Sequence, residues 1–263
     1  MAGRMGLSHA DEEALRDAKD HLENPSLAAK ITGMIGMPIE KALQQLPEKW
    51  AAVVNAATRK SLETALQVAL LTLGDTPQLK ASELVHKLAV AATGAGGGAL
   101  GLAGLPFELP LSTTIMLRSI ADIARSEGER LVSWESKLAC LEVFALGGRR
   151  ATDDASDSAY FFMRGALARS VTEAAQYITE RGFVEEGAPA LVRFVTQLTT
   201  RFGVSVSEKV AAQAVPVIGA AGGMAINVMF IVHFQAMARG HFIVRRLERI
   251  YGSQVVRTQY ERL

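Results

Sequence analysis

Residues 209–239 read KVAAQAVPVIGAAGGMAINVMFIVHFQAMAR, and no charged side chain lies between Lys209 and Arg239. A helix needs roughly 20 apolar residues to cross the hydrocarbon core of a bilayer, so the stretch is long enough to span one. Pro216, Asn227 and His233 argue against spanning, because polar groups are costly in lipid unless they are paired. The alternatives are a helix or hairpin buried inside a bundle, and a soluble protein that exposes the stretch only at a membrane. We favour a bundle that associates peripherally with a membrane.

A second uncharged stretch, Leu88–Phe107, consists mostly of Ala, Gly and Leu and contains a glycine cluster at 94–101. Small residues allow close helix packing, so we expect the two stretches to contact each other. Residues 94–100 and 219–225 are similar, as in an internal duplication or in a chance echo of low complexity. Apolar residues recur at helical spacing elsewhere, and strand signals are scarce. We predict an all-α fold, a multi-helix bundle with two central glycine-rich apolar helical segments.

Composition limits the class of protein. The chain has 263 residues, 49% of them hydrophobic, and a mean hydropathy of +0.17. The formal net charge of +1 provides no field for nucleic acid, so no nucleic-acid partner is expected. Cys140 is the only cysteine, so no internal disulfide can form, and it is interpreted as a core residue. Residues 1–23 lack the apolar core of a signal peptide, so a cytoplasmic location is expected.

The two ends of the chain differ in charge. An acidic N-terminal helix is predicted within residues 1–25, because Ser8 precedes Asp11 in the pattern of a helix start. Residues 239–263 form a basic C-terminal segment. We expect the whole chain, 1–263, to form one helical domain.

Two internal helix boundaries are predicted from local signals. Ser205 and Glu208 have the spacing of a capping box, which predicts a helix start just before the uncharged stretch. A separate last helix is predicted from Gly240 to Ile250.

Clusters of residues between Leu109 and Arg249 occur in an order that points to one family. They are 109–114, 116–124, 128–129, 140–147, 209–220, Asn227, 233–235, Ala238, His241, Phe242 and 245–249. Together they resemble the EcsC family of bacterial proteins, which is named for a member encoded beside the components of an ABC transporter. The resemblance implies an association with a transporter through gene neighbourhood, which is not a mechanism. It carries over no catalytic residue.

The first candidate ligand-binding residues share one predicted helix face. Thr114, Arg118 and Asp122 are four residues apart, and Thr113 lies beside them. Arg118 and Asp122 are predicted to pair. The face is interpreted either as a polar stripe that binds an anionic head group through the arginine, or as a solvated surface with an ordinary ion pair.

Polar residues within and after the uncharged stretch are further candidates for ligand binding. They are Asn227, His233, Gln235 and His241. A buried amide or imidazole must find hydrogen-bond partners, so each either completes the bonding of the bundle or binds a ligand. His233 and His241 are about 12 Å apart along a helix axis and cannot share one metal ion. No metal and no cofactor are predicted, because HExxH spacing is absent and no strand precedes the glycines at 94–101.

The start of the basic segment has the two sides of an interfacial helix. Phe242 represents the apolar side, and the cations are Arg245, Arg246 and Arg249. Such a helix inserts its apolar side between head groups, and each cation gains about 1 kcal/mol from anionic lipids. These four residues are the candidate membrane-contact residues. The alternative is a helix docked on the bundle with solvated arginines.

Two functions of different classes are carried forward. The first is a non-enzymatic, membrane-associated accessory protein beside a membrane transport or secretion system. Its partners are the cytoplasmic face of the membrane, a lipid-like apolar ligand held between the glycine-rich helices, and a membrane transporter. The second is a hydrolase acting on peptides or lipids, in which polar residues converge in one pocket. Those residues are Glu108, Arg118, Glu142, His233, His241 and Arg245.

Overall fold

The computed structural model describes residues 6–23, 27–44, 46–74, 104–148, 159–182, 188–215 and 219–263. The helices in these ranges are α1 (His9–Glu23), α2 (Leu27–Ile35), α3 (Ile39–Gln44), α4 (Lys49–Thr72), α5 (Leu105–Ser126), α6 (Trp134–Leu146), α7 (Ala159–Arg181), α8 (Pro189–Gln213), α9 (Gly219–Tyr251) and α10 (Ser253–Tyr260). The described ranges contain no strand, which confirms the all-α prediction. The glycine cluster at 94–101 lies outside the described residues, whereas residues 219–225 form the start of α9.

The longest helix, α9, lies at the centre of the bundle and packs against α1, α5, α6 and α8. Its residue Phe234 is fully buried, and its ring centroid lies 5.5 Å from that of Phe144 and 5.4 Å from that of Phe202. The described residues of the uncharged stretch are mostly buried or half-buried, as predicted for the second of the two central segments.

The basic segment does not begin a new helix, so the predicted boundary at Gly240 is wrong. Helix α9 continues through Gly240 to Tyr251. A Cβ atom at this position would lie 2.6 Å from Leu22 Cγ and 2.8 Å from the carbonyl oxygen of Ala18. Glycine at 240 therefore lets α1 approach the backbone of α9, and it marks close packing instead of a helix end.

The predicted helix start at Ser205 is also wrong. Helix α8 runs without interruption from Pro189 to Gln213 and includes Ser205 and Glu208. The Ser205 side chain is buried, and its Oγ donates a hydrogen bond to the carbonyl oxygen of Gly147 at 3.1 Å. The hydroxyl therefore satisfies the end of α6 instead of capping its own helix.

The acidic N-terminal helix is present, and it contacts the end of the central helix. Ser8 Oγ accepts a hydrogen bond from the Asp11 amide at 3.2 Å, in the manner of an N-cap. The Tyr251 hydroxyl, at the end of α9, donates to Asp11 Oδ2 at 2.6 Å. Lys19 Nζ donates to the carbonyl oxygen of Tyr260 at 3.3 Å. Helix α1 is thus fixed to both α9 and α10.

One continuous hydrophobic core joins the described helices. Cys140 lies inside it, as predicted, and burial raises the pKa of its thiol to about 12. Among the described residues, no helix has the length and hydropathy that crossing a membrane would require.

Candidate functional site

Three polar side chains meet in the core between α5, α8 and α9. Lys209 Nζ donates a hydrogen bond to Glu108 Oε1 at 2.7 Å, and Asn227 Nδ2 donates to the same oxygen at 2.9 Å. Lys209 Nζ also lies 5.1 Å from the centroid of the Phe230 ring. Lys209 and Asn227 are fully buried, and Glu108 is nearly so. We call Glu108, Lys209 and Asn227 the core triad. The core triad ties three helices together, because separating Lys209 from Glu108 would leave an unpaired charge in the core.

His233 and Gln235 also bond within the bundle. His233 Nε2 lies 2.9 Å from the carbonyl oxygen of Gly147, the same oxygen that accepts from Ser205. Gln235 Nε2 donates to Ser119 Oγ at 2.8 Å and so connects α9 with α5. Both contacts satisfy polar groups that would otherwise be costly to bury.

A second buried polar group lies between α7 and α9. His241 Nδ1 is 3.0 Å from the Tyr160 hydroxyl, and both residues are buried. Burial lowers the pKa of His241 well below its usual value and raises the pKa of Tyr160, so both side chains are neutral. Beside them, the two Nη atoms of Arg164 donate to the Glu248 carboxylate at 2.9 and 2.7 Å. This fork-shaped pair holds α7 against the last turns of α9.

Glu142 on α6 is buried near Arg164 and Arg245. Burial raises the pKa of its carboxyl group to about 7, and the charges of Arg245 and Arg164 oppose the rise without cancelling it. The group therefore titrates near neutral pH.

Replacing Glu142 with Gln should change how stability depends on pH. The folded protein holds this proton more tightly than the unfolded chain, so the wild type loses stability as pH rises from about 4.5 to about 7. Glutamine stays neutral, so Glu142→Gln should match the wild type at low pH. At pH 8 it should be more stable by about 1–3 kcal/mol. Urea unfolding of both proteins at several pH values measures the difference.

The matched control for this measurement is Glu135→Gln, which changes an exposed glutamate on the same helix. Its effect on stability should stay within about 0.5 kcal/mol, as for other exposed positions. A Glu142→Gln protein that is less stable than the wild type at pH 8 would show that the arginines outweigh burial.

A buried carboxylate organises the basic end of α9. Glu129 accepts hydrogen bonds from Arg245 Nη2 at 2.6 Å, from Ser136 Oγ at 2.9 Å and from Arg249. Burial acts to raise the pKa of Glu129, but the hydrogen bonds and charges of its partners outweigh it, so the pKa is lowered and the group is ionised. Arg246 Nη1 lies 3.3 Å from the Glu127 carboxylate. Loop 127–133 is therefore held against the last turns of α9 by ion pairs.

The buried polar residues of α5, α8 and α9 lie within a region of the chain that matches a known family. The model of the EcsC protein family matches residues 9–247. The chain belongs to the EcsC protein family. No curated protein and no solved structure matches it. The EcsC match begins with α1 and ends in the last turns of α9, so it includes the core triad and Glu129.

In this EcsC protein the predicted pair of Arg118 and Asp122 is wrong. Asp122 Oδ1 accepts a hydrogen bond from Arg125 Nη1 at 2.9 Å, and Arg118 Nη2 lies 3.4 Å from Thr72 Oγ1. Asp122 precedes Arg125 but follows Arg118, and an acid that precedes its basic partner on a helix is favoured over the reverse order. Arg125 is also fixed by a hydrogen bond from its Nη2 to the Gly74 carbonyl oxygen at 2.8 Å.

The two threonines of that face have different environments. Thr113 is fully buried, and Thr114 Oγ1 donates to the carbonyl oxygen of Pro110 at 2.9 Å. Pro110 has no amide hydrogen, so one backbone hydrogen bond of α5 is missing at this position. The Thr114 hydroxyl adds a side-chain bond to the same turn. Binding of an anionic head group by this face stays a prediction.

The candidate membrane-contact residues divide into two groups. Phe242 is fully buried, so the apolar side of α9 faces the core. Arg245, Arg246 and Arg249 face the glutamates of loop 127–133. Contact with a membrane stays a prediction for the arginines, and in this conformation Phe242 does not reach the surface.

The six residues of the hydrolase hypothesis do not form one hydrogen-bonded cluster in this EcsC structure, although the charge of Arg245 acts on both Glu142 and His241. Glu108 bonds to Lys209, His233 to a backbone carbonyl, and His241 to Tyr160. Arg118 reaches Thr72, and Arg245 bonds to Glu129. Within the described ranges, no three or more His, Cys, Asp or Glu side chains are grouped to hold a metal ion. The geometry therefore does not bring the six residues into one pocket.

Sequence reasoning missed the partners that explain most of these candidates. Lys209 was the charged boundary of the uncharged stretch and part of the cluster 209–220, but not a candidate site residue, and neither were Glu129 and Tyr160. Each bonds to a residue more than 80 positions away, a distance over which helical spacing carries no signal.

Proposed function

We propose that this EcsC protein is a non-enzymatic accessory protein that docks peripherally on the anionic cytoplasmic face of the cell membrane. The supporting observation is the surface formed by loop 127–133 and the last turns of α9. We call it the arginine surface, and it consists of Arg130, Val132, Arg246, Arg249 and Ile250.

The arginine surface exposes cations and hides the carboxylates that pair with them. The exposed side-chain fraction is 41% for Arg249 and 37% for Arg246, against 5% for Glu129 and 15% for Glu127. Arg130 is also exposed. Because the negative groups lie beneath the positive ones, an anionic surface that approaches this side of the protein meets guanidinium groups first.

The same surface carries apolar side chains that can enter a head-group layer. Val132 is 59% exposed and Ile250 is 60% exposed. Ile250 follows Arg246 by four residues, so the two share a side of α9. These side chains supply the apolar contact that the sequence assigned to Phe242, and cations beside apolar groups are the combination that interfacial binding requires.

The proposed setting is a membrane transport or secretion system. It rests on the resemblance to a family named for a transporter-associated member, and a membrane transporter is the proposed protein partner. A lipid-like ligand held between the two glycine-rich stretches is a further part of the proposal.

Flotation of the purified protein with liposomes tests the docking. We expect the protein to float with vesicles of phosphatidylglycerol and phosphatidylcholine at low salt and to remain unbound with phosphatidylcholine alone. Salt should release it, because screening weakens attraction between exposed charges. Flotation that ignores both lipid charge and salt, or no flotation at all, would overturn the proposal.

Variants at the two apolar positions locate the surface without breaking an ion pair. Val132→Asp combined with Ile250→Asp should lower the partition coefficient on anionic vesicles by about 10-fold or more, since two new carboxylates offset about 2 kcal/mol of cation binding. The matched control is Phe162→Asp, which changes another exposed apolar residue, 72% exposed, on α7. Equal flotation of the control and the double variant would place the docking surface elsewhere.

A further inference from the structure

An open groove of about 420 Å³ lies where α7 meets the end of α9 and the start of α10. The residues that line it include Phe161, Arg164, Gly165, Glu248, Ser253 and Arg257. Its volume falls within the usual range for sites that bind small molecules. The Arg164–Glu248 pair lies on its lining, and neither the arginine surface nor the core triad contributes to it.

Arg257 provides hydrogen-bond donors at the groove. Its Nε donates to Glu261 Oε1 at 2.8 Å, and its guanidinium carbon lies 5.6 Å from the centroid of the Phe161 ring. Within the described residues, the Arg257 side chain forms no hydrogen bond through its two Nη groups. These donors are held in place by the ring and by Glu261, and they remain available to a ligand.

Two neighbouring features favour an anion in the groove: one reduces repulsion and the other adds attraction. The charge of Glu248 is balanced by the fork-shaped pair with Arg164, so it does not repel an anion as a lone carboxylate would. Helix α10 begins at Ser253, and its N-cap residue, Gly252, makes no side-chain capping bond. The partial positive charge of this helix start adds to that of Arg257.

The other side of the groove is lined by a glycine, Gly165, and by an aromatic residue, Phe161. Gly165 is exposed, and a Cβ atom built on it would meet nothing within 4 Å. The Phe161 ring forms the wall under Arg257. An organic group attached to the anion therefore has room over Gly165 and an aromatic ring to contact.

We propose that this groove binds a small molecule that bears a phosphate group. Arg257 and the start of α10 hold the phosphate, and the attached organic part lies over Gly165 against Phe161. A phosphate monoester offers three terminal oxygens to hydrogen-bond donors of this kind, against two in a carboxylate. The ligand is either a soluble phosphate ester or the head group of a lipid.

Isothermal titration calorimetry of the full chain tests the site with two soluble probes, glycerol 3-phosphate and dihexanoyl phosphatidic acid below its micelle concentration. Binding of both probes with equal affinity identifies a phosphate ester, and binding of the lipid alone identifies a lipid head group. Glycerol should not bind. Failure of both probes to bind would overturn the proposal. Because no membrane is present, that failure leaves the docking of the arginine surface unaffected.

Substitutions then locate the binding. Arg257→Ala should weaken it about 10-fold or more, as expected for loss of a charge-assisted hydrogen bond. Gly165→Leu should weaken it similarly by filling the groove, and the open space around Gly165 lets the variant fold. The matched controls are Arg169→Ala, which breaks a similar pair with Glu173 four residues on, and Gly203→Leu, which fills open space on α8. Unchanged affinity in Arg257→Ala and Gly165→Leu would overturn the assignment.

Discussion

Replacing Lys209 with Met should lower the free energy of unfolding by about 3–5 kcal/mol, the range seen when one partner of a buried ion pair is removed. The methionine has a similar volume, so the loss comes mainly from the Glu108 carboxylate, which keeps Asn227 as a donor but loses its counter-charge. Chemical denaturation measures the effect. Lys60→Met, at an exposed position on α4, is the control and should stay within about 0.5 kcal/mol of the wild type.

A second substitution separates the charge from the packing. In the double variant Lys209→Met with Glu108→Gln, the positions of the core triad hold no charge, and the glutamine oxygen can still accept from Asn227. It should therefore be more stable than Lys209→Met alone. If the double variant is less stable than the single one, the core triad does not derive its effect from paired charge.

Leucine at position 240 should destabilise the protein by about 3 kcal/mol, the upper part of the range for overpacked cores. The reason is that one of the atoms it meets is the Ala18 carbonyl oxygen, 2.8 Å from the new Cβ, and backbone cannot rotate away as a side chain can. Helix α1 must then move off α9. Urea denaturation gives the stability, and limited proteolysis within residues 9–23 reports release of α1.

Gly203→Leu is the control for Gly240→Leu. Both glycines lie inside long helices, but a Cβ at position 203 meets nothing within 4 Å. This variant should gain up to about 1 kcal/mol from the better helix propensity of leucine. A stable Gly240→Leu protein with intact α1 would show that the close approach of the two helices is not required.

Local sequence signals were sufficient for the fold class and for the acidic N-terminal helix. Ser8 predicted the start of α1, because the capping bond is made within the same turn. The same kind of reasoning failed at Ser205 and Gly240. A serine can cap its own helix or bond to another, and a glycine can end a helix or admit a neighbour. Only the tertiary partner, Gly147 or Ala18, distinguishes these cases.

The candidate sites were harder to predict because their bonds are long-range. Asn227, His233, Gln235 and His241 were correctly singled out as polar groups in an apolar setting. Their partners could not be found from helical spacing, since Gln235 bonds to a residue 116 positions away. Phe242 illustrates a different limit. An interfacial helix and a helix docked on a bundle have the same pattern of apolar and basic residues, and burial alone separates them.

The contact between α1 and α9 also has a consequence during synthesis on the ribosome. Helix α1 is made well before α9, which covers most of its apolar side (Leu15, Ala18 and Leu22) and begins only at Gly219. At typical rates of translation, this apolar side stays uncovered for roughly 10–40 seconds. The nascent chain therefore carries an uncovered apolar side on α1 during this time, and α1 can pack only after the central helix has left the exit tunnel.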